Sequence, residues 1–149
     1  MEPLKEGNIG MNAFINFNGN CREAMAFYAK VFKQDAPEIM IFADAPPMEG
    51  WEMNEADKEK VMYADLNIKG STIMFSDVPS GMPFIQGSSI QLSIGDTDKA
   101  EIERLYEALK EGGKVMMPLQ ETFFSPCYAY LVDQFGVPWH LSYDDGRNK

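Results

Sequence analysis

His140 is the only imidazole in 149 residues, and imidazole is the side chain best suited to act as acid, base or metal ligand near neutral pH. It stands between Trp139 and Leu141, and the two-residue period of a strand turns that pair to one face and His140 to the other. A transition-metal centre of useful affinity draws on about three or four His, Cys, Asp or Glu ligands, so a lone histidine sets a narrow limit on metal chemistry. Cys21 and Cys127 are too few for a disulfide framework. Cys21 falls at the expected first turn of a helix, where the dipole lowers a thiol's pKa, but no resolving cysteine or histidine adjoins it in sequence. None of the 12 glycines forms a G-x-G-x-x-G or Walker loop, which leaves a Rossmann-type nucleotide or methyl-donor site without support. A serine triad lacks its G-x-S-x-G elbow.

A second group of residues points to binding. Asn12, Phe14, Asn16 and Asn18 share one parity while Ala13, Ile15 and Phe17 take the other, the pattern of a half-buried strand with a polar second face. Ser89, Gln91 and Ser93 alternate in the same way with Ile90, Leu92 and Ile94. Polar residues on two such strands need water or a ligand if they are buried, so they read either as a wet sheet face or as the lining of a cleft. The 11 methionines, among them Met40, Met62, Met74, Met82, Met116 and Met117, read as ordinary core or as the lining of an adaptable apolar cavity.

The elements that position these residues recur twice. After the first alternating strand, Asn20 stands three residues before Glu23 in the manner of a capping box. Ala24, Phe27, Tyr28 and Val31 follow at helical spacing, predicting a helix over about 21–32. Strands are expected over 38–43, 61–68 and 71–76, the last two joined by Lys69-Gly70. In the second half the strand at 89–94 leads to a capping box of Asp98 and Glu101. The stripe Ile102, Leu105, Tyr106 and Leu109 follows, with a stop at Gly112-Gly113 and strands at 114–119, 128–132 and 138–143. Gly70 to Ser76 lines up with Gly136 to Ser142, which makes Met74 and His140 counterparts. The expected fold is α+β: one domain over 1–149 built of two tandem βαβββ modules, about 10–80 and 86–145, each with a helix on one side of a curled, mostly antiparallel sheet.

Composition narrows the partners. At 45% hydrophobic and 24% charged residues the chain is globular in type. Its net charge of −10, without any basic cluster, opposes binding to phosphate backbones, so nucleic acid is not an expected partner. No apolar run approaches the roughly 20 residues of a membrane span. Residues 1–7 lack the order of a signal peptide, so a cytoplasmic protein is expected. Six acids fall within 44–60, interleaved with Pro46, Pro47 and Gly50, and read as a solvated connection or as a lid.

The tandem βαβββ order resembles the vicinal oxygen chelate superfamily of glyoxalases, extradiol dioxygenases and bleomycin-resistance proteins. The run Asn16 to Ala24 with Phe27-Tyr28, then Gly70 to Asp77 and Asp133 to His140, is similar to its PhnB-like branch, over residues 10–145. The resemblance implies a cleft formed by the curled sheets and, in metal-dependent relatives, ligands at the places held here by Asn12, Met74, Ser89 and His140. Asn and Ser offer only neutral oxygens, and a thioether suits soft Cu(I). Where many PhnB-like chains have a histidine in the third strand, this one has Tyr63. PhnB-like chains are sometimes labelled demethylubiquinone methyltransferases, yet no residues for a methyl donor stand out. The resemblance therefore implies a homodimer that binds a small molecule in a cleft lined by Asn12, Asn16, Tyr63, Met74, Ser89, Gln91 and His140, with no cofactor expected. The alternative is a glyoxalase-like lyase, isomerase or dioxygenase in which a divalent metal acts on a vicinal-oxygen substrate.

Overall fold

Lys69 and Gly70 both adopt left-handed backbone, at φ 52° and 87°, the conformation of a two-residue hairpin turn whose twist matches its flanking strands. The Asn67 side chain accepts the Gly70 amide at 3.0 Å and closes the turn. It joins β3 (Val61–Ile68) to β4 (Ser71–Asp77), the centre of the first sheet. A computed structural model of the chain describes residues 9–146; residues 1–7, read above for a leader, lie outside the described residues apart from that reading. The chain divides into two compact units, Met1–Ile85 and Gln86–Lys149.

In the first unit β1 (Phe14–Phe17), α1 (Cys21–Val31) and β2 (Met40–Ile41) precede β3 and β4, and the strand order is β1-β4-β3-β2. The β1–β4 pair is parallel and the other two pairs are antiparallel. The second unit repeats this plan with β5 (Leu92–Asp96), α2 (Lys99–Lys110), β6 (Lys114–Gln120), β7 (Tyr128–Val132) and β8 (Pro138–Tyr143), in the order β5-β8-β7-β6. Again one pair, β5–β8, is parallel. The α+β expectation of two βαβββ modules therefore holds.

One face of each sheet is apolar and lies under its helix. Ala24, Met25, Tyr28 and Ala29 of α1 are buried, as are Phe17, Ala64, Leu66, Ile73 and Phe75, with Tyr28 stacked on Phe75 at 5.8 Å. Ile102, Leu105, Tyr106 and Leu109 of α2 are buried together with Ile94, Ala129, Leu131, Trp139 and Leu141. Each of these larger side chains stabilises the fold by about 1.5–3 kcal/mol through the water it excludes.

Three local expectations are corrected. Asn20 makes no side-chain cap; Asp77, at the end of β4, instead accepts the amides of Gly19 and Cys21 at 3.0 and 2.9 Å, and that of Val61 at 2.9 Å. One carboxylate thus ties the start of α1 to the start of β3. The strand expected at 38–43 shrinks to Met40–Ile41 and turns into a 3₁₀ turn, Phe42–Asp44. The strand expected at 89–94 begins later, at Leu92, which leaves Ser89 outside it. In α2, by contrast, Asp98 accepts the Ala100 amide as a local cap. No helix among the described residues is long and apolar enough to cross a membrane.

Candidate ligand-binding face

The sheet face turned away from α2 follows from register. Ser93, His140, Tyr130 and Met117 lie in one cross-strand row, and Gly95, Ser142, Tyr128 and Gln120 in the next. No Lys or Arg stands in either row. His140 lies flat on Tyr130, with ring centroids 4.4 Å apart and planes 2° from parallel. Its Nδ1 is hydrogen bonded to the Tyr128 hydroxyl, and its Nε2 to Oε1 of Gln91.

Protonation follows from this network. The Gln91 amide nitrogen donates to the Ser88 carbonyl at 3.1 Å and to the Tyr130 hydroxyl at 3.0 Å, so the amide oxygen must be the atom that faces His140. An oxygen there requires a proton on Nε2, and in the neutral ring Nδ1 then accepts from the Tyr128 hydroxyl. Burial pushes the Tyr128 pKa up, with Tyr130 beside it adding to the effect, so Tyr128 keeps the proton it donates. Phe124 packs edge-on against Tyr128 at 4.9 Å and Phe123 edge-on against Phe124 at 5.2 Å.

The first unit's corresponding face has other chemistry. Met74 pairs with Phe14 on β1 and with Asp65 on β3. Asp65 accepts from the Tyr63 hydroxyl at 2.8 Å, and Asn16 accepts from Ser76 at 2.7 Å. Asn12 is half-buried and stands two residues before β1, on the parity of Phe14 and Asn16. Of the residues singled out in the sequence, the structure joins Gln91 to His140 and puts Asn16, Tyr63 and Met74 on one sheet. Ser89 is exposed and takes no place in the strand rows. Counting by register, the counterpart of Asn12 is Gln91 and not Ser89, because Phe14 matches Ser93.

Sequence reasoning passed over Tyr128 and Tyr130. Their signal was available: they alternate with Ala129 and Leu131, and the β7–β8 hairpin places them beside His140. The reactive-thiol reading of Cys21 fails for a physical reason. Burial, with the Asp77 carboxylate beside it, pushes its pKa up to about 12 and keeps it a thiol.

The residues present do not fit the metal centre of the metal-dependent relatives. Both nitrogens of His140 are already engaged, and Ser89 lies off the face. No group of three His, Cys, Asp or Glu side chains able to hold an ion exists among the described residues.

Residues 10–142 match the family model described as 3-demethylubiquinone-9 3-methyltransferase. Protein YjdN of Escherichia coli is 27% identical over 142 residues, covering 89% of this chain and 93% of that protein. The crystal structure of PA1353 from Pseudomonas aeruginosa is 33% identical with a TM-score of 0.78, covering 92% of this chain and 98% of that one. The PhnB protein from Bacillus cereus is 27% identical with a TM-score of 0.65, covering 90% and 98%. With its paired βαβββ units and a family match over most of its length, the chain belongs to the PhnB-like family described as 3-demethylubiquinone-9 3-methyltransferase.

Proposed function

We propose that this chain is a small-molecule-binding protein of the glyoxalase and bleomycin-resistance type, that its second sheet carries the binding face, and that binding there uses no transition metal. The observation that carries the reading is the double engagement of His140 by Tyr128 and Gln91. A metal could take an imidazole nitrogen only by breaking one of these bonds, and among the described residues no group of three His, Cys, Asp or Glu side chains is placed to repay the loss. The same bonds hold a preformed polar centre among aromatic rings and methionine, the mixture that small-molecule sites use. Methyl transfer, the reaction in the family's description, has no support from the chain's glycines, which form no nucleotide-type loop.

The neutral side chains of the two rows and the net charge of −10 favour an uncharged ligand over an anion. The test is a thermal-shift screen of the EDTA-treated protein against neutral aromatic and carbonyl-bearing compounds. Stabilisation that survives EDTA and is lost in His140→Ala supports the reading. Ligand responses that appear only after zinc, nickel or manganese is restored would overturn it.

A further inference from the structure

The Tyr130 hydroxyl is half used. Its oxygen accepts from the Gln91 amide at 3.0 Å, and among the described residues no protein group accepts its proton. The direction of that bond is fixed from behind. Gln91 has two amide protons, one on the Ser88 carbonyl and one on Tyr130, while its oxygen takes the Nε2 proton of His140. Rotating the amide by half a turn would set its oxygen against the Ser88 carbonyl, which can only accept, so only one orientation satisfies all three contacts. The ring itself is held by stacking on His140. Tyr130 is therefore an oriented phenol whose remaining function is to donate outward from the open face.

Around it the face is uncharged, with accessible apolar side chains on it. Met117, its cross-strand neighbour, is 39% exposed, and Phe124, packed on Tyr128, is 37% exposed. Among the described residues, the side chains of Ser93 and Ser142, in the same two rows, make no protein hydrogen bond. We infer that Tyr130 is the specificity-determining donor of this face and takes the carbonyl oxygen of a neutral ligand whose aromatic or apolar body lies over Met117 and Phe124. Gln91 is its positioning residue. The inference rests on the proposed binding role of the second sheet and adds the ligand's chemical class to it.

An environment-sensitive aryl ketone, 6-propionyl-2-dimethylaminonaphthalene, reads this contact directly, because its emission moves to the red when its carbonyl accepts a hydrogen bond. The chain should bind it saturably. Tyr130→Phe removes the proton and keeps the ring; it should weaken binding about three- to tenfold, the size of one neutral hydrogen bond, and move the bound emission to the blue. Gln91→Glu keeps the phenol but puts an acceptor where the amide donated. That turns the Tyr130 proton inward and should produce the same loss and the same blue shift. The carbonyl-free analogue, 2-dimethylaminonaphthalene, should bind the parent chain and both variants alike, which also shows that the variants are folded. Equal ketone affinity and emission in the parent and in Tyr130→Phe would overturn this inference while leaving the binding face in place. No saturable binding of either probe to the parent chain would overturn the binding face, and this inference with it.

Discussion

At the centre of its open face the first sheet sets Met74 between Phe14 and Asp65, whereas the second sets His140 between Ser93 and Tyr130. The opposite faces do not diverge in this way. Under α1 lie Ile73 and Phe75, and under α2 lie Trp139 and Leu141, all at matching register positions. Burial against a helix demands apolar side chains of fitting volume in both units. An open face carries no such demand, so one plan can hold a thioether beside a carboxylate in one copy and a hydrogen-bonded imidazole in the other.

The units also differ in how a buried carboxylate braces each of them, and this gives the largest expected effect. Asp133 accepts the amides of Phe135 and Val137 at 2.8 and 3.1 Å and the Trp139 indole N–H at 2.8 Å. Asp133→Ala leaves these donors unsatisfied beneath a tryptophan that is 2% exposed, and should cost about 4 kcal/mol in urea unfolding. Asp77→Ala frees three amides, of which that of Gly19 is nearer solvent, and should cost about 3 kcal/mol. A loss below about 1 kcal/mol in either would mean that water replaces the carboxylate and that the brace is not structural.

Next in size is the turn after α2. A Cβ on Gly113 would stand 2.3 Å from the Val132 carbonyl oxygen and 2.9 Å from the Asp133 Cα, both backbone atoms. Gly113→Ala should therefore cost about 2 kcal/mol or more, measured by the same unfolding curves, because β6 must move off β7 to admit the methyl.

A smaller effect is confined to the first unit and depends on pH. Asp57 is 2% exposed; it bonds to the amide and hydroxyl of Ser80, both at 2.8 Å, and lies 2.9 Å from the Lys60 ammonium. Burial raises its pKa, but Lys60 and Ser80 together outweigh burial and hold it below its ordinary 3.8. A folded value below the unfolded one gives stability that is full above about pH 4 and lost as pH falls through the folded value. The gap in stability between the parent chain and Asp57→Asn should then be widest above about pH 4 and narrow below it. A gap that stays constant with pH would contradict the linkage.

The smallest change runs the other way. The first unit leaves its helix through Lys33 at φ 53°, where the second uses Gly112 at φ 74°. Lys33→Gly relieves the left-handed strain and should stabilise by about 0.5 kcal/mol, seen as a small rise in melting temperature.

The two units also show what could be read from the sequence. The strands β3, β7 and β8 and both helices were visible because apolar spacing and Gly-centred turns are local signals. The cap of α1 was not. Asn20 and Glu23 have the spacing of a local cap, but the acceptor is Asp77, 56 residues away, and no local pattern reports such a partner. The polar face was read at Asn12, Asn16, Gln91 and His140. It was misplaced at Ser89 because the alternation of Ser89, Gln91 and Ser93 continues beyond the point where β5 begins. Tyr128 and Tyr130 enter the site only through the register of β7 on β8.

Because the chain has one histidine, the proton–nitrogen correlation spectrum of its imidazole ring tests the central claim without an assignment. The account predicts one protonated nitrogen, Nε2, and one unprotonated hydrogen-bonded nitrogen, Nδ1, with neither signal moved by one equivalent of zinc. A ring in the opposite tautomer, or a stoichiometric displacement of either nitrogen by zinc, would contradict it.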